Sequence, residues 1–225
     1  AANDFFFLPR RDSVRLVETV VELCKTRLPD KMGIPADELQ VLTPTRRGDA
    51  GTRSLNFALQ AALNPPKPGK QERRFGELIF REGDRVMQTR NDYDVVWQKE
   101  DGTAGTGIFN GDIGVIEKIY DRQSYMLIDF DGREVKYGFD LLEDIELAYA
   151  ITVHKSQGSE YPFVVMPVTD FPPMLMTRNL LYTAVTRAKT MAVLIGREDA
   201  LSRMVENDRE AVRYTGPVSY THLRA

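Results

Sequence analysis

From Thr152 to Gln157 the chain sets a hydroxyl, an imidazole, an ammonium, a second hydroxyl and an amide close together: Thr152, His154, Lys155, Ser156 and Gln157. All of them donate hydrogen bonds, and donors gathered at the end of an apolar run suit the gripping of phosphate oxygens. Gly158 follows, and a residue without a Cβ lets the backbone come close to a ligand. Further on, Leu180, Leu181, Ala184, Val185 and Ala188 recur at helical spacing. That pattern predicts a helix with Arg187 beside its buried stripe and the guanidinium aimed at whatever the site holds. A fixed guanidinium neutralises charge that develops on a transferring phosphoryl group. Phosphate chemistry is thus the first expectation.

Strands and helices must position these groups. Ala150 to Val153 reads as a short, nearly apolar strand that delivers the donor cluster at its end. Upstream, Phe5 to Leu8 reads as a buried strand. Asp12 or Ser13 then caps a helix with Val14, Val17, Val20, Val21, Cys24 and Leu28 on one face, ended by Pro29. Leu39 to Thr43 is a second strand, and the turn Pro44 to Gly48 leads into a helix capped near Thr52 with Leu55, Leu59, Ala62 and Leu63 inward. Strand, polar turn and helix follow one another twice, the arrangement that builds a parallel sheet with helices on its faces.

After the basic, proline-bearing loop Asn64 to Lys70 the character changes. Short β-type runs at 78–80, 84–90, 113–120, 125–130 and 133–137 are separated by turn signals, of which Asp131-Gly132 is the strongest. Five such strands predict a small antiparallel barrel, closed on itself and inserted at 83–146. Residues 92–107 show no periodicity. Phe163 to Met166 and Ala192 to Ile195 resume the parent sheet, and 198–215 form a charged helical end with Leu201, Met204 and Val205 as its apolar stripe.

The chain has 225 residues, 42% of them hydrophobic and 28% charged, enough for a sizeable core in one large domain carrying a small insertion. A net charge of −3 gives no bulk attraction to nucleic acid, so any such binding must come from a local basic track. The single cysteine, Cys24, excludes a disulfide framework and a cysteine-rich metal site, and no metal site is expected. With no run long enough to span a membrane and no signal-peptide pattern, a soluble cytoplasmic protein is expected. The chain opens on alanine and almost at once on a strand, as though it began inside a larger protein. Residues 216–225 lack periodicity and resemble translated sequencing-adaptor DNA, so they are expected to be foreign to the fold, His222 included. Glu143 to Glu146 reads as a solvated acidic rim, and Arg46 and Lys189 as surface charges. Trp97, Phe5 to Phe7 and Met174 to Met176 read as packing groups.

Two stretches carry a family resemblance: Ala148 to Glu160, with its T-V-H-K-S-Q-G-S-E run, and Asn179 to Lys189. They resemble motifs V and VI of superfamily 1 helicases, in the spelling of the RecD-like group that moves 5′ to 3′ on DNA. Thr43 to Gly48 resembles motif IV, continued by Leu55-Asn56 and Leu59-Gln60. The resemblance covers about residues 3 to 197. The fold it implies is α/β, the second of two RecA-like motor domains. That domain is a parallel sheet with flanking helices at 1–82 and 147–215, carrying an SH3-like β-barrel at 83–146.

The resemblance also implies roles. Arg47 and Arg187 would be catalytic, reaching the γ-phosphate of ATP; Gly158 and Glu160 would adjoin the nucleotide, Glu160 accepting a hydrogen bond from its ribose. Thr152, His154, Lys155 and Gln157 would hold phosphates of single-stranded DNA. Arg90 to Tyr93 and Phe109 to Asp112 match stretches of the RecD-like insertion that touch the strand, which implies contacts from Asn91, Tyr93 and Asn110. No stretch matches G-x-x-x-x-G-K-[ST], since Pro68-Gly69-Lys70 lacks the upstream glycine and the hydroxyl residue that follows. ATP and Mg are therefore expected on a missing N-terminal RecA-like domain, with the isolated chain inactive in ATP hydrolysis. The partners expected are that domain and single-stranded DNA, in repair or recombination. One alternative is the helicase portion of a conjugative relaxase, which shares similar motifs V and VI. The other, from a different class, is a non-catalytic single-stranded nucleic-acid-binding module with the barrel as its working part.

Overall fold

A computed structural model describes residues 5 to 208. Strand β1 (Phe5–Pro9) leads to helix α1 (Ser13–Glu22), whose cap Asp12 accepts a 2.9 Å hydrogen bond from the Arg15 backbone N–H. The helical path does not end at Pro29. A wide π-type turn (Leu23–Arg27) passes into α2 (Leu28–Met32), and Pro29 sits in the first turn of α2, where a missing N–H is tolerated. Gly33, left-handed at φ 65°, closes it. Strand β2 (Leu39–Thr43) and helix α3 (Thr52–Leu63) follow, then the hairpin β3 (Glu72–Phe75) and β4 (Leu78–Arg81).

The next strands are β5 (Arg85–Gln88), β6 (Asp92–Gln98), β7 (Ala104–Ile108), β8 (Ile113–Tyr120), β9 (Tyr125–Asp129), β10 (Glu134–Gly138) and β11 (Ile145–Leu147). They form one antiparallel sheet in the order β11-β5-β8-β9-β10-β6-β7. Asp131 and Gly132 both have positive φ, 55° and 77°, as a primed two-residue hairpin turn requires. The sheet has seven strands where the sequence predicts five, and among the described residues β7 and β11 have one partner each, so hydrogen bonds do not close it. Of the five predicted runs, 78–80 is β4 of the separate β3–β4 hairpin, so this sheet adds three strands: the short β11 and the β6–β7 hairpin, which occupies the segment that lacks periodicity. Its glycines hide the pattern: a Cβ on Gly105 would lie 2.4 Å from the Trp97 ring. Gly105 is therefore a strand residue that makes room for Trp97 across the hairpin.

The chain then returns through β12 (Ala150–Thr152), β13 (Tyr161–Val168), α4 (Arg178–Val185), β14 (Ala188–Gly196) and α5 (Glu198–Glu206). The parent sheet is parallel throughout, in the order β1-β14-β13-β2-β12. Its first strand is less buried than the sequence predicts: β1 lies at the sheet edge, with Phe5 and Phe6 exposed. The remainder of the expected C-terminal helix and the segment 216–225 lie outside the described residues.

Alternate residues of the parent strands feed two cores. Val41, Ala150, Val165 and Val193 pack with Leu55 and Leu59 of α3 and Val20 of α1. Leu42, Ile151, Val164 and Leu194 pack with Leu180 and Ala184 of α4 and Met204 of α5. A third core inside the seven-stranded sheet gathers Phe80, Ile116, Ile128, Phe130, Val135 and Tyr137. Burying these side chains is worth about 1.5–3 kcal/mol each against exposure.

A polar ladder on α3 joins the two sheets. Asn56 donates to the carbonyls of Leu147 and Ala150 and accepts from the Ala150 N–H at 2.8 Å, gripping the chain where it re-enters the parent sheet. One and two turns further on, Gln60 and Asn64 donate to the two carboxylate oxygens of Asp84 at 2.6 and 2.7 Å, where the chain leaves. Asp84 is fully buried and also accepts from the Arg81 N–H at 2.7 Å and the Tyr149 hydroxyl at 2.9 Å. Burial outweighs these bonds and holds its carboxyl above the usual carboxylate range. A folded value above the unfolded one means that ionised Asp84 penalises folding, so its contribution to stability falls as pH rises from the unfolded value through the folded one.

Two outcomes are expected. Asp84→Ala removes the buried acceptor that these four donors share and lowers unfolding stability by about 3 kcal/mol, read by urea denaturation followed by far-UV circular dichroism. Burial pushes the Cys24 thiol up to about 12, so a disulfide-exchange reagent at pH 8 should modify it only at the rate of unfolding. Fast labelling of folded protein would contradict the buried position.

Candidate functional site

All strands of the parent sheet run the same way, so the sheet has one C-terminal rim and one N-terminal rim. Thr43 ends β2 and Thr152 ends β12, and these two residues are register partners. The loop that carries Arg46 and Arg47, and the donor cluster from Thr152 onward, therefore share the C-terminal rim. Glu160 immediately precedes β13 and Arg187 immediately precedes β14, and Tyr161 faces Ala188 in register. Glu160 and Arg187 therefore share the N-terminal rim. The rims are separated by the strand length, roughly 15 Å or more for five residues. The structure thus brings Glu160 and Arg187 together and leaves Arg47 with Thr152 and Lys155 on the other rim.

Arg187 is not on the helix as the spacing predicts. Helix α4 ends at Val185, Arg187 lies in the turn beyond it, and Ala188 already begins β14. The turn fixes it closely: its N–H bonds the Ala184 carbonyl, and its carbonyl accepts from Tyr161 N–H at 2.8 Å. The guanidinium donates from Nε to the Thr183 carbonyl at 3.3 Å and from Nη1 to the Ser159 carbonyl at 3.2 Å. Among the described residues no carboxylate pairs with it, so the half-buried guanidinium is held by neutral acceptors alone. Beside it, Glu160 and Lys189 approach to 3.6 Å, an exposed pair of little energetic weight.

At the C-terminal rim the segment after Thr152 winds into turns. Lys155 N–H bonds the Thr152 carbonyl at 2.9 Å, and Ser159 N–H bonds that of Ser156 at 3.0 Å. Ser156 is wholly buried and donates its hydroxyl to the Val153 carbonyl at 2.7 Å, which makes it a structural brace and not a ligand group. His154 and Gln157 are exposed, and Thr152 and Lys155 half-buried. Gly158 has φ 85° with open space where a Cβ would point, so the turn itself calls for glycine. Lys155 reaches Glu146 at 2.9 Å, and Arg46 meets the other oxygen of the same carboxylate at 2.5 Å. Glu146 is thus a bridge between β2 and β12 loops, neither part of a free acidic rim nor legible from sequence, since Arg46 lies 100 positions away. The Arg47 side chain has no partner among the described residues.

On the seven-stranded sheet the two stretches read from resemblance do come together. Asn91 accepts from the Asn110 N–H at 2.9 Å and donates to the Tyr93 hydroxyl at 3.3 Å, and Tyr93 meets Phe109 edge to face at 5.6 Å. Tyr93 is 66% exposed.

Residues 55–130 match the model of the ATP-dependent RecD-like DNA helicase SH3 domain, and residues 147–195 that of the UvrD-like helicase C-terminal domain. The chain is 37% identical over 173 residues to an ATP-dependent RecD2 DNA helicase of Deinococcus radiodurans, covering 77% of this chain and 22% of that one. It is 33% identical over 183 residues to the RecBCD enzyme subunit RecD of Mycolicibacterium smegmatis, covering 80% and 28%. The chain therefore spans about a quarter of the length of the curated relatives it matches. Among solved structures it is similar to Bacteroides Pif1 bound to ssDNA, at 20% identity and a TM-score of 0.48 over 81% of this chain and 45% of that one. From its two matched domains and these relatives, the chain belongs to the RecD-like DNA helicases of superfamily 1.

Proposed function

We propose that this chain is the C-terminal motor portion of an ATP-dependent 5′ to 3′ DNA helicase, with its boundaries at 1–82 and 147–215 for the RecA-like part and 83–146 for the inserted SH3-like part. The observation that carries the reading is the Arg187 guanidinium, fixed by two backbone carbonyls, without a carboxylate partner among the described residues, and on the same rim as Glu160. ATP and Mg would be bound mainly by an N-terminal RecA-like domain. Arg187 would enter that pocket from across the gap and neutralise charge on the γ-phosphoryl group, with Glu160 and Gly158 toward the nucleotide. The chain would be inactive in ATP hydrolysis alone.

Arg47 takes a different role from the one the resemblance implies. It stands on the rim of Thr152, His154, Lys155 and Gln157, and in this reading it joins them in holding phosphates of single-stranded DNA. Asn91, Asn110 and Tyr93 add a second hold from the seven-stranded sheet. Phosphate contacts position a strand without reading its sequence, which suits a protein that must release and regrip at each step. The segment from Thr152 to Glu160 connects the strand rim to the nucleotide rim, so a shift at one end is felt at the other.

Arg187→Ala, made in a polypeptide that carries the upstream motor domain, should lower DNA-stimulated ATP hydrolysis by about a thousandfold while DNA affinity changes little. Unchanged turnover would favour a binding module without motor function. Arg47→Ala and Lys155→Ala should each weaken single-stranded DNA binding and lower the slope of log affinity against log salt by about 1. If Arg47→Ala instead slows hydrolysis with affinity and slope intact, Arg47 belongs to the nucleotide.

A further inference from the structure

Beside the C-terminal rim a cleft of about 600 Å3 opens between the start of α3, the β3–β4 hairpin and the end of β11. Phe57 of α3 and Phe75 of the hairpin line it while remaining 38% and 40% exposed. Single exposed apolar side chains are ordinary, but two phenylalanines on one cleft leave aromatic surface free at a concave site. The acids there are already engaged: Glu77 pairs with Arg53 from hairpin to helix, and Glu146 with Arg46 and Lys155. Among the described residues Arg47, which lines the same cleft, has no side-chain partner, so the charge left over there is positive. An apolar, aromatic-walled cleft with a free guanidinium fits a flat ring joined to a phosphate.

We propose that this cleft takes an unpaired nucleobase of single-stranded DNA, stacked on Phe57 or Phe75 with its phosphate on Arg47; the proposal rests on the reading that the C-terminal rim holds the strand. Every base offers a π-face, so such a subsite grips without sequence preference. The Arg53–Glu77 pair that spans the cleft is exposed on both sides and weak, so an entering base displaces it at little cost.

The test measures fluorescence anisotropy of the full chain on an oligo-dT strand and on the same strand with interior abasic sites. The chain should bind the base-bearing strand about tenfold more tightly. Phe57→Ala and Phe75→Ala combined should remove most of that difference with the salt slope unchanged and the circular dichroism of folded protein retained. Phe75→Tyr, which keeps a π-face, should behave as the original. A 2-aminopurine placed in the strand should lose fluorescence on binding the original chain and not the double alanine variant. Equal affinity for both strands, or phenylalanine variants that keep the full difference, overturns the base cleft. In that case a salt-dependent loss in Arg47→Ala would leave the strand reading standing. A chain with no affinity for single-stranded DNA overturns both.

Discussion

The constraint on which the architecture depends is the burial of one carboxylate where the chain leaves the parent sheet. Asp84 has no access to water, and its oxygens are filled by Gln60, Asn64, the Arg81 N–H and Tyr149. Those donors come from α3, from the end of β4 and from the residue before β12. They are the pieces that must meet if a second sheet is to be inserted without disturbing the first. An apolar residue at 84 would fill the space but fix no orientation, whereas a carboxylate with several directional partners tolerates one arrangement. Asn56, on the same face of α3, grips Leu147 and Ala150 in the same way. One helix face thus sets both the exit and the re-entry of the insertion, and with them the start of β12, from which the Thr152 cluster hangs.

That placement decides what the rims can do. A parallel sheet separates its loops into those that follow strands and those that precede them, and chemistry requiring two ligands can use both sets. Here the loop from Val153 to Glu160 crosses, like every connection in a parallel sheet, from the first rim to the second, but it does so without a helix. The buried Ser156 hydroxyl and the turn hydrogen bonds make it compact.

Much of this was legible in the sequence. The parallel sheet, the Asp12 cap, the Asp131-Gly132 turn and most barrel strands follow from period and turn chemistry, which are local. What escaped was non-local or masked. The β6–β7 hairpin was hidden because Gly105 is there for the sake of Trp97, and a strand residue chosen for lack of bulk looks like a loop residue. Phe5 and Phe6 look like core because composition cannot tell an edge strand from a central one. Pro29 looks like a stop because the π-type turn before it leaves no signature. At the site, the motifs single out the residues but not their rim. Arg47 and Arg187 are both arginines in strong local patterns, and only the direction of the strands they flank separates them.

The manner in which Arg187 is held bears on what it can do. A carboxylate would fix a guanidinium more firmly than two backbone carbonyls, but it would also cancel much of the field that a developing phosphoryl charge needs. Carbonyl dipoles orient the group and leave its net charge intact. The two acceptors are backbone atoms of Ser159 and Thr183, already fixed by the loop and by α4. In the proposed motor, the guanidinium is therefore aimed before any nucleotide arrives, and the remaining donors on its outer edge are what a γ-phosphate would meet. In that proposal, reorganisation at the moment of reaction would be limited to closing the gap between domains.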